Sequence, residues 1–161
     1  MNKKIRIRSE KELEVRKNEF LKICNLLDKL DIRYFLQTGI LLGAIRDNDF
    51  IKWDWDIEVS VFSDEVIEKF DLLVDEIKSA GFDILKDDRH LSQLKIDFKG
   101  QLSTETTKYT INGWSHDKNK KIFWRKKFKV PDYLWKEMRK IELFGKNHLA
   151  PYPPEKYLEY Q

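Results

Sequence analysis

Near the N-terminus apolar residues recur at helical spacing. Leu13, Phe20, Ile23, Leu27 and Leu30 share one face, and Ser9 followed by Glu12 has the form of a capping box, so a helix is predicted over 10–30. Cys24 lies in that stripe and reads as a core residue. Tyr34-Phe35-Leu36 reads as a short strand closed by Thr38-Gly39, with a short apolar helix over 40–46 behind it. From Trp53 to Val61 the chain alternates without a break. Period two puts Trp53, Trp55, Ile57, Val59 and Val61 on one face of a strand and Asp54, Asp56 and Glu58 on the other. Ser63 is placed to cap a second helix with the stripe Val66, Ile67, Phe70, Leu73, Val74 and Ile77, and Gly81 is placed to end it. Strands follow over 82–85, 93–99, 108–111, 121–124 and 140–144, with a short helix starting at Pro131 and a terminal helical turn over 154–160. Helices early and strands late predict an α+β domain with a mixed sheet flanked by helices. No repeat or Gly/Ser linker interrupts the chain, so 1–161 is expected to be one domain.

Composition narrows the class. Hydrophobic residues at 41% and aromatics at 13% suffice for a packed core and exclude a disordered chain. The one cysteine excludes a disulfide framework and a Cys-rich zinc module. No run of apolar residues is long enough to span a bilayer, and Met1-Asn2-Lys3-Lys4-Ile5-Arg6 leads into charged sequence, so a soluble, reducing, cytoplasmic setting is expected. The net charge of +3 conceals a polarity. Residues 47–88 hold 14 acidic and 4 basic side chains, whereas 118–146 hold 11 basic and 3 acidic ones. Either the acidic part holds cations or folds against the basic part, or these are two solvated faces of opposite sign.

Three carboxylates on one strand face repel one another unless something positive compensates them. Hard divalent cations such as Mg²⁺ or Mn²⁺ prefer oxygen ligands and are the usual compensation; an edge strand with a wet charged face is the plainer alternative. Ile96-Asp97-Phe98 places another acid between apolar neighbours, which suggests two adjacent strands presenting acids to one metal centre. Upstream, Gly39 can bring backbone N–H groups close to an anion at the start of a helix expected near Ile40. Thr38 adds a hydroxyl and Arg46 a fork suited to phosphate oxygens.

The stretch 34–61, YFLQTGILLGAIRDNDFIKWDWDIEVSV, resembles the signature of the LicD family, which includes the fukutin-related proteins. Gly39, Leu41, Leu42, Gly43, Arg46, Ile51, Trp53, Asp54, Asp56 and Ile57 match its pattern, and Ile96-Asp97-Phe98 resembles its third-acid strand. Ile40, Lys52, Trp55 and Glu58 stand where the family usually has Thr, Pro, an acid and Asp. The tail 151–160 resembles the region ahead of a Tyr-Gly pair, so the chain reads as a minimal or trimmed member. The resemblance implies a nucleotidyltransferase-like fold and transfer of a phosphorylated small group, phosphocholine or a polyol phosphate, from a CDP-activated donor to a hydroxyl of a cell-surface or lipid-linked glycan. In that reading Asp54, Asp56, Glu58 and Asp97 hold the metal, and Asp97 can accept the attacking hydroxyl's proton. Thr38, Gly39 and Arg46 cradle donor phosphates.

Within 118–129, KNKKIFWRKKFK, basic residues interleave with Phe123, Trp124 and Phe128. That composition suits an anionic donor, an acidic glycan, the inner membrane surface or nucleic acid, and also a solvated strand pair with its aromatics in the core; nucleic acid is the less favoured partner. His90 and His148 lack ligand spacing and are expected at the surface, and His116 in a loop. The runner-up activities are attachment of a nucleoside monophosphate to a small molecule, protein or RNA, and a degenerate nucleotide- or RNA-binding module.

Overall fold

Helix α1, Glu10–Lys29, starts where the capping box puts it: the Ser9 hydroxyl accepts the Glu12 N–H at 3.2 Å. The computed structural model describes residues 9–36, 38–49, 57–101, 108–152 and 156. The chain continues through β1 (Tyr34–Leu36), α2 (Thr38–Arg46) and β2 (Ile57–Phe62). The next helix comes in pieces: α3 (Ser63–Val66), a 3₁₀ turn (Ile67–Lys69) and α4 (Phe70–Ser79). Ser63 does not cap it. Phe62 holds the cap position, and Ser63 is the first helical residue, its buried hydroxyl without a hydrogen-bond partner among the described residues. Gly81 does end α4, at φ +98°. Its N–H reaches the Lys78 carbonyl at 3.0 Å and that of Phe82 the Ile77 carbonyl at 3.3 Å, the double bond of a Schellman ending.

Strands then dominate: β3 (Asp83–Asp88), β4 (Lys95–Lys99), β5 (Tyr109–Asp117), β6 (Ile122–Arg125) and β7 (Phe128–Pro131), followed after the short α5 (Tyr133–Lys136) by β8 (Arg139–Leu143) and β9 (Lys146–Ala150). The chain's period-two signal announces neither β7 nor β9. The β8–β9 hairpin turns on Phe144 and Gly145, both at positive φ, as a two-residue loop matching strand twist requires. Phe-Gly is not the usual Asn-Gly or Asp-Gly cue, so the sequence hides this turn.

Among the described residues the strand order is β3-β4-β5-β2-β1-β9-β8, with β6 pairing the end of β5 and β7 pairing β6. The β2–β5 and β1–β9 ladders are parallel and the others antiparallel, so the sheet is mixed, as expected. One face of its centre is apolar. Ile57, Val59, Val61, Ile96, Phe98 and Ile111 are buried there, in one core with Phe20 and Leu27 of α1 and Leu73 and Ile77 of α4. Tyr109 ties this face to α1: its hydroxyl donates to Glu19 Oε1 at 2.7 Å, and Arg16 stacks over its ring.

His148 is a correction to the sequence reading. It is buried rather than at the surface, its ring packed on Phe20 at 5.4 Å. Its Nε2–H donates to the Leu143 carbonyl at 3.1 Å, so Nδ1 accepts from the Tyr34 hydroxyl at 2.8 Å. Burial holds it below the ordinary imidazole range, against the pull of the Leu143 carbonyl. Cys24 is a core residue as expected, and burial pushes its thiol up to about 12. No helix among the described residues is long and apolar enough to cross a membrane.

Candidate active site

The opposite face of the central strands is polar, and register places its carboxylates. Glu58 of β2 lies opposite Thr110 of β5, which lies opposite Asp97 of β4. The three side chains therefore share one face and one row, because aligned residues on neighbouring strands point the same way. The two acids are not on adjacent strands, as the sequence suggested: β5 stands between them, and their backbones are about 10 Å apart by strand spacing. Next along the row come Ser60, Asn112 and Lys95. Beyond them Phe62, Trp114, Phe123 and Trp135 close that end of the face with an aromatic cluster, and the Trp114 indole donates to Ser60 Oγ at 3.1 Å.

Asp97 is 3% exposed, and both of its oxygens are engaged. Thr110 donates its hydroxyl to Oδ1 at 2.8 Å, while the ammonium groups of Lys95 and Lys108 lie 3.4 and 3.3 Å from Oδ2. A buried carboxylate needs such partners, since an unpaired one costs several kcal/mol or about that. Both lysines keep about a quarter of their side chains in solvent, at 26% and 28%. Sequence reasoning took Asp97 as an acid among apolar neighbours and missed the lysines. The signal was there in the pattern: Lys95 and Asp97 share a strand face at i, i+2.

Arg125 was missed too, because it sits inside a basic run. It is 6% exposed on β6, and its Nη1 donates to the Leu94 carbonyl at 3.0 Å. Burial lowers its guanidinium from the usual arginine range, while Glu58, Asp88 and Asp97 act in the opposite sense. It therefore stands within electrostatic reach of both acids of the row. Lys118, Lys120 and Lys121 of that basic segment lie in the turn ahead of β6, and the remainder is the β6–β7 hairpin. Phe123 is buried in it, Phe128 is 57% exposed, and Lys126, Lys127 and Lys129 face solvent. His116 lies on β5 rather than in a loop, its Nε2 3.0 Å from Asp132 Oδ2 and its ring stacked on Phe123. That hydrogen bond holds the Asp132 carboxyl below its usual range.

The proposed phosphate loop has a different shape from the expected one. Helix α2 begins at Thr38 rather than near Ile40, so Gly39 lies within its first turn. Arg46 closes the helix at the far end, exposed, 3.6 Å from Asp47. The backbones of Gly39 and Arg46 are thus about 10 Å apart along the axis. Asp54 and Asp56, with Trp53 and Trp55, lie outside the described residues.

For a divalent cation, Glu58 and Asp97 supply the right donor chemistry, hard carboxylate oxygens on one face. They do not make a ligand set by themselves: among the described residues no three His, Cys, Asp or Glu side chains come together as a metal site. The fit therefore rests on Asp54 and Asp56, which precede Glu58 at spacings of two in the sequence.

The model of the LicD/FKTN/FKRP nucleotidyltransferase domain matches residues 31–153. Ribitol 5-phosphate transferase FKRP from Mus musculus and from Homo sapiens is in each case 36% identical over 44 residues, which is 27% of this chain and 9% of that protein. An uncharacterized protein of Rickettsia typhi, RT0683, is 32% identical over 59 residues, 37% of this chain and 19% of that protein. The matched stretch thus covers less than a fifth of each of these relatives. Among solved structures, the lincosamide antibiotic adenylyltransferase LnuA with lincomycin bound superposes with a TM-score of 0.61 at 11% identity, covering 97% of this chain and 87% of that one. The antibiotic-resistance factor ANT(2'')-Ia does so with a TM-score of 0.59 at 10% identity, covering 92% and 81%. At those identities the likeness is one of fold, and it meets the expectation of a nucleotidyltransferase-like α+β sheet. Family and fold together support an enzyme of the transferase class. With its match running from the loop before β1 to beyond β9, this chain belongs to the LicD/FKTN/FKRP nucleotidyltransferase-domain family.

Proposed function

We propose that the protein is a metal-dependent phosphotransferase that moves a phosphorylated small group, such as phosphocholine or a polyol phosphate, from a CDP-activated donor to a hydroxyl of a cell-surface glycan. The observation that carries this reading is the Glu58–Thr110–Asp97 row on one sheet face, in a chain of this family whose sequence sets Asp54 and Asp56 at spacings of two ahead of Glu58. Asp54 and Asp56 would hold Mg²⁺ or Mn²⁺, with Glu58 assisting and Asp97 completing the set. The ion, when bound, would offset charge on the transferring phosphate. Asp97 would also accept the proton of the attacking hydroxyl, held in place for that by Thr110. The first turn of α2, with Thr38 and Gly39, would bind one phosphate of the donor through backbone N–H groups, and Arg46 a more distant part of it. Exposed Lys126, Lys127 and Lys129 with Phe128 would face an anionic acceptor, or the inner membrane surface that carries a lipid-linked one.

Incubation with Mg²⁺ and CDP-choline or CDP-ribitol tests this reading, with CTP in a parallel reaction. Release of CMP from a CDP-linked donor, abolished in Asp56→Ala, is the expected result. Pyrophosphate released from CTP, with no CMP from either donor, assigns nucleotidyl transfer instead.

A further inference from the structure

We propose that Lys95, Lys108 and Arg125 form a second anion cradle on the polar sheet face, one that receives phosphate groups of the substrate beside Asp97. The inference rests on the phosphotransfer reading for the identity of the substrate, and on the following geometry for the site. Three cations from three separate elements lie on this side of the sheet: the ammonium groups of Lys95, from β4, and Lys108, from the residue before β5, meet at Asp97 Oδ2, and Arg125 of β6 is held on the carbonyl of Leu94, the residue before Lys95. Only Asp97 pairs with the lysines among the described residues, and both ammonium groups share its Oδ2. One carboxylate balances one of them.

Arg125 is the more telling member. A guanidinium has five N–H donors, and among the described residues this one has a single hydrogen bond, to a backbone carbonyl. No carboxylate lies within ion-pair distance of it there, although it is almost fully buried. Burying a cation on those terms is costly, and the fold spends contacts on holding it in place. The Leu94 carbonyl that fixes Arg125 also accepts the Gly113 N–H at 2.9 Å, and the Lys126 N–H reaches Ser92 at 3.1 Å, locking the hairpin to the segment ahead of β4. Gly113 permits that close approach: a Cβ there would lie 2.8 Å from the Leu94 Cβ. The fork is held on the Leu94 carbonyl, and each lysine keeps about a quarter of its side chain in solvent, at 26% and 28%. A phosphate offers several acceptor oxygens and more than one negative charge, which suits a fork with two partly exposed ammonium groups on the same side of the sheet. A phosphate that draws the lysines away also releases Oδ2 of Asp97 for its own task.

Calorimetric titration with inorganic pyrophosphate in metal-free, low-salt buffer tests the cradle without calling on turnover. Wild type is expected to bind, more weakly as salt rises. Arg125→Gln and the double variant Lys95→Gln/Lys108→Gln are each expected to lose about tenfold or more in affinity, with Arg125→Lys in between. The single variants Lys95→Gln and Lys108→Gln each leave Asp97 one ammonium partner and are expected to lose affinity as well, so they decide the question should Arg125→Gln or the double variant fail to fold. Absence of binding by wild type, or unchanged affinity in the folded variants, overturns the proposal. The two readings fail separately. Pyrophosphate binding lost in these variants, in a protein that releases no CMP from CDP-linked donors, keeps the cradle and removes phosphotransfer; transfer with unchanged pyrophosphate affinity does the reverse.

Discussion

The same three strands, β2, β5 and β4, carry two unlike faces. Toward α1 and α4 they present Ile57, Val59, Val61, Ile111, Ile96 and Phe98, all buried in one apolar core. Toward the other side they present Glu58, Ser60, Thr110, Asn112, Lys95 and Asp97. Apolar burial on the first face drives folding. The second face buries Asp97 and Arg125, which contribute little or even cost stability, and such groups are kept where chemistry needs them. Strand alternation is what lets one ladder serve both ends. Substitution on one face should therefore change stability, and on the other face activity.

The largest effect on stability belongs to the apolar face. Ile111→Ala removes a fully buried side chain at the centre of the sheet, and a loss of about 2–5 kcal/mol in urea unfolding is expected. On the polar face Asp97→Asn keeps the shape and removes the charge. Turnover of a CDP-linked donor should fall on the order of 100-fold, while the thermal midpoint moves by only about a few degrees. An Asp97→Asn protein that unfolds as readily as Ile111→Ala would break the division between the faces. Smaller in effect is Gly113→Ala, whose new methyl would meet Ser63 Oγ at 2.4 Å and the Leu94 side chain. A loss of about 1–3 kcal/mol is expected from overpacking, and wild-type stability in this variant would show that the segment ahead of β4 yields easily.

The smallest effect is a pH dependence on the helix-covered side. Burial keeps His148 neutral below the ordinary imidazole range. As pH falls through about 6.5, the unfolded chain takes up a proton that the folded chain refuses. Its contribution is therefore fully present above that pH and is lost as pH falls toward the folded value. Urea midpoints at pH 7.5 and 5.5 should differ more for wild type than for His148→Phe; equal differences would remove His148 from the account.

Much of this could be read from the chain before its fold was known. The alternation through Glu58, Val59 and Val61, the stripe of Val66 to Ile77 and the stop at Gly81 are local signals, and each formed nearly where it was expected. The polar row was legible only in part. Asp97 and Glu58 stand out as acids among apolar neighbours, but the register that aligns them through Thr110 is a tertiary fact with no trace in either segment. Arg125 and His148 were hidden for another reason. Charge and polarity along a sequence report the average residue type, whereas their burial depends on a hairpin folding back on the Leu94 segment and on the β8–β9 hairpin closing over α1. Asp54 and Asp56, the strongest cue in the sequence, lie outside the described residues and stay with the family resemblance.

The parallel β2–β5 ladder has a consequence for the order in which the molecule comes together. Glu58 belongs to an antiparallel pair with β1, and Asp97 to the meander β3-β4-β5, whose contacts are short in sequence. The two halves meet through six residue pairs whose members are separated by about fifty positions, and such distant contacts are slow to form. Contacts of that range favour a late meeting of the two acids, after the pairings nearer in sequence. A ligand that spanned Glu58 and Asp97 would bridge that seam as a clasp and would favour the closed sheet by mass action as its concentration rose.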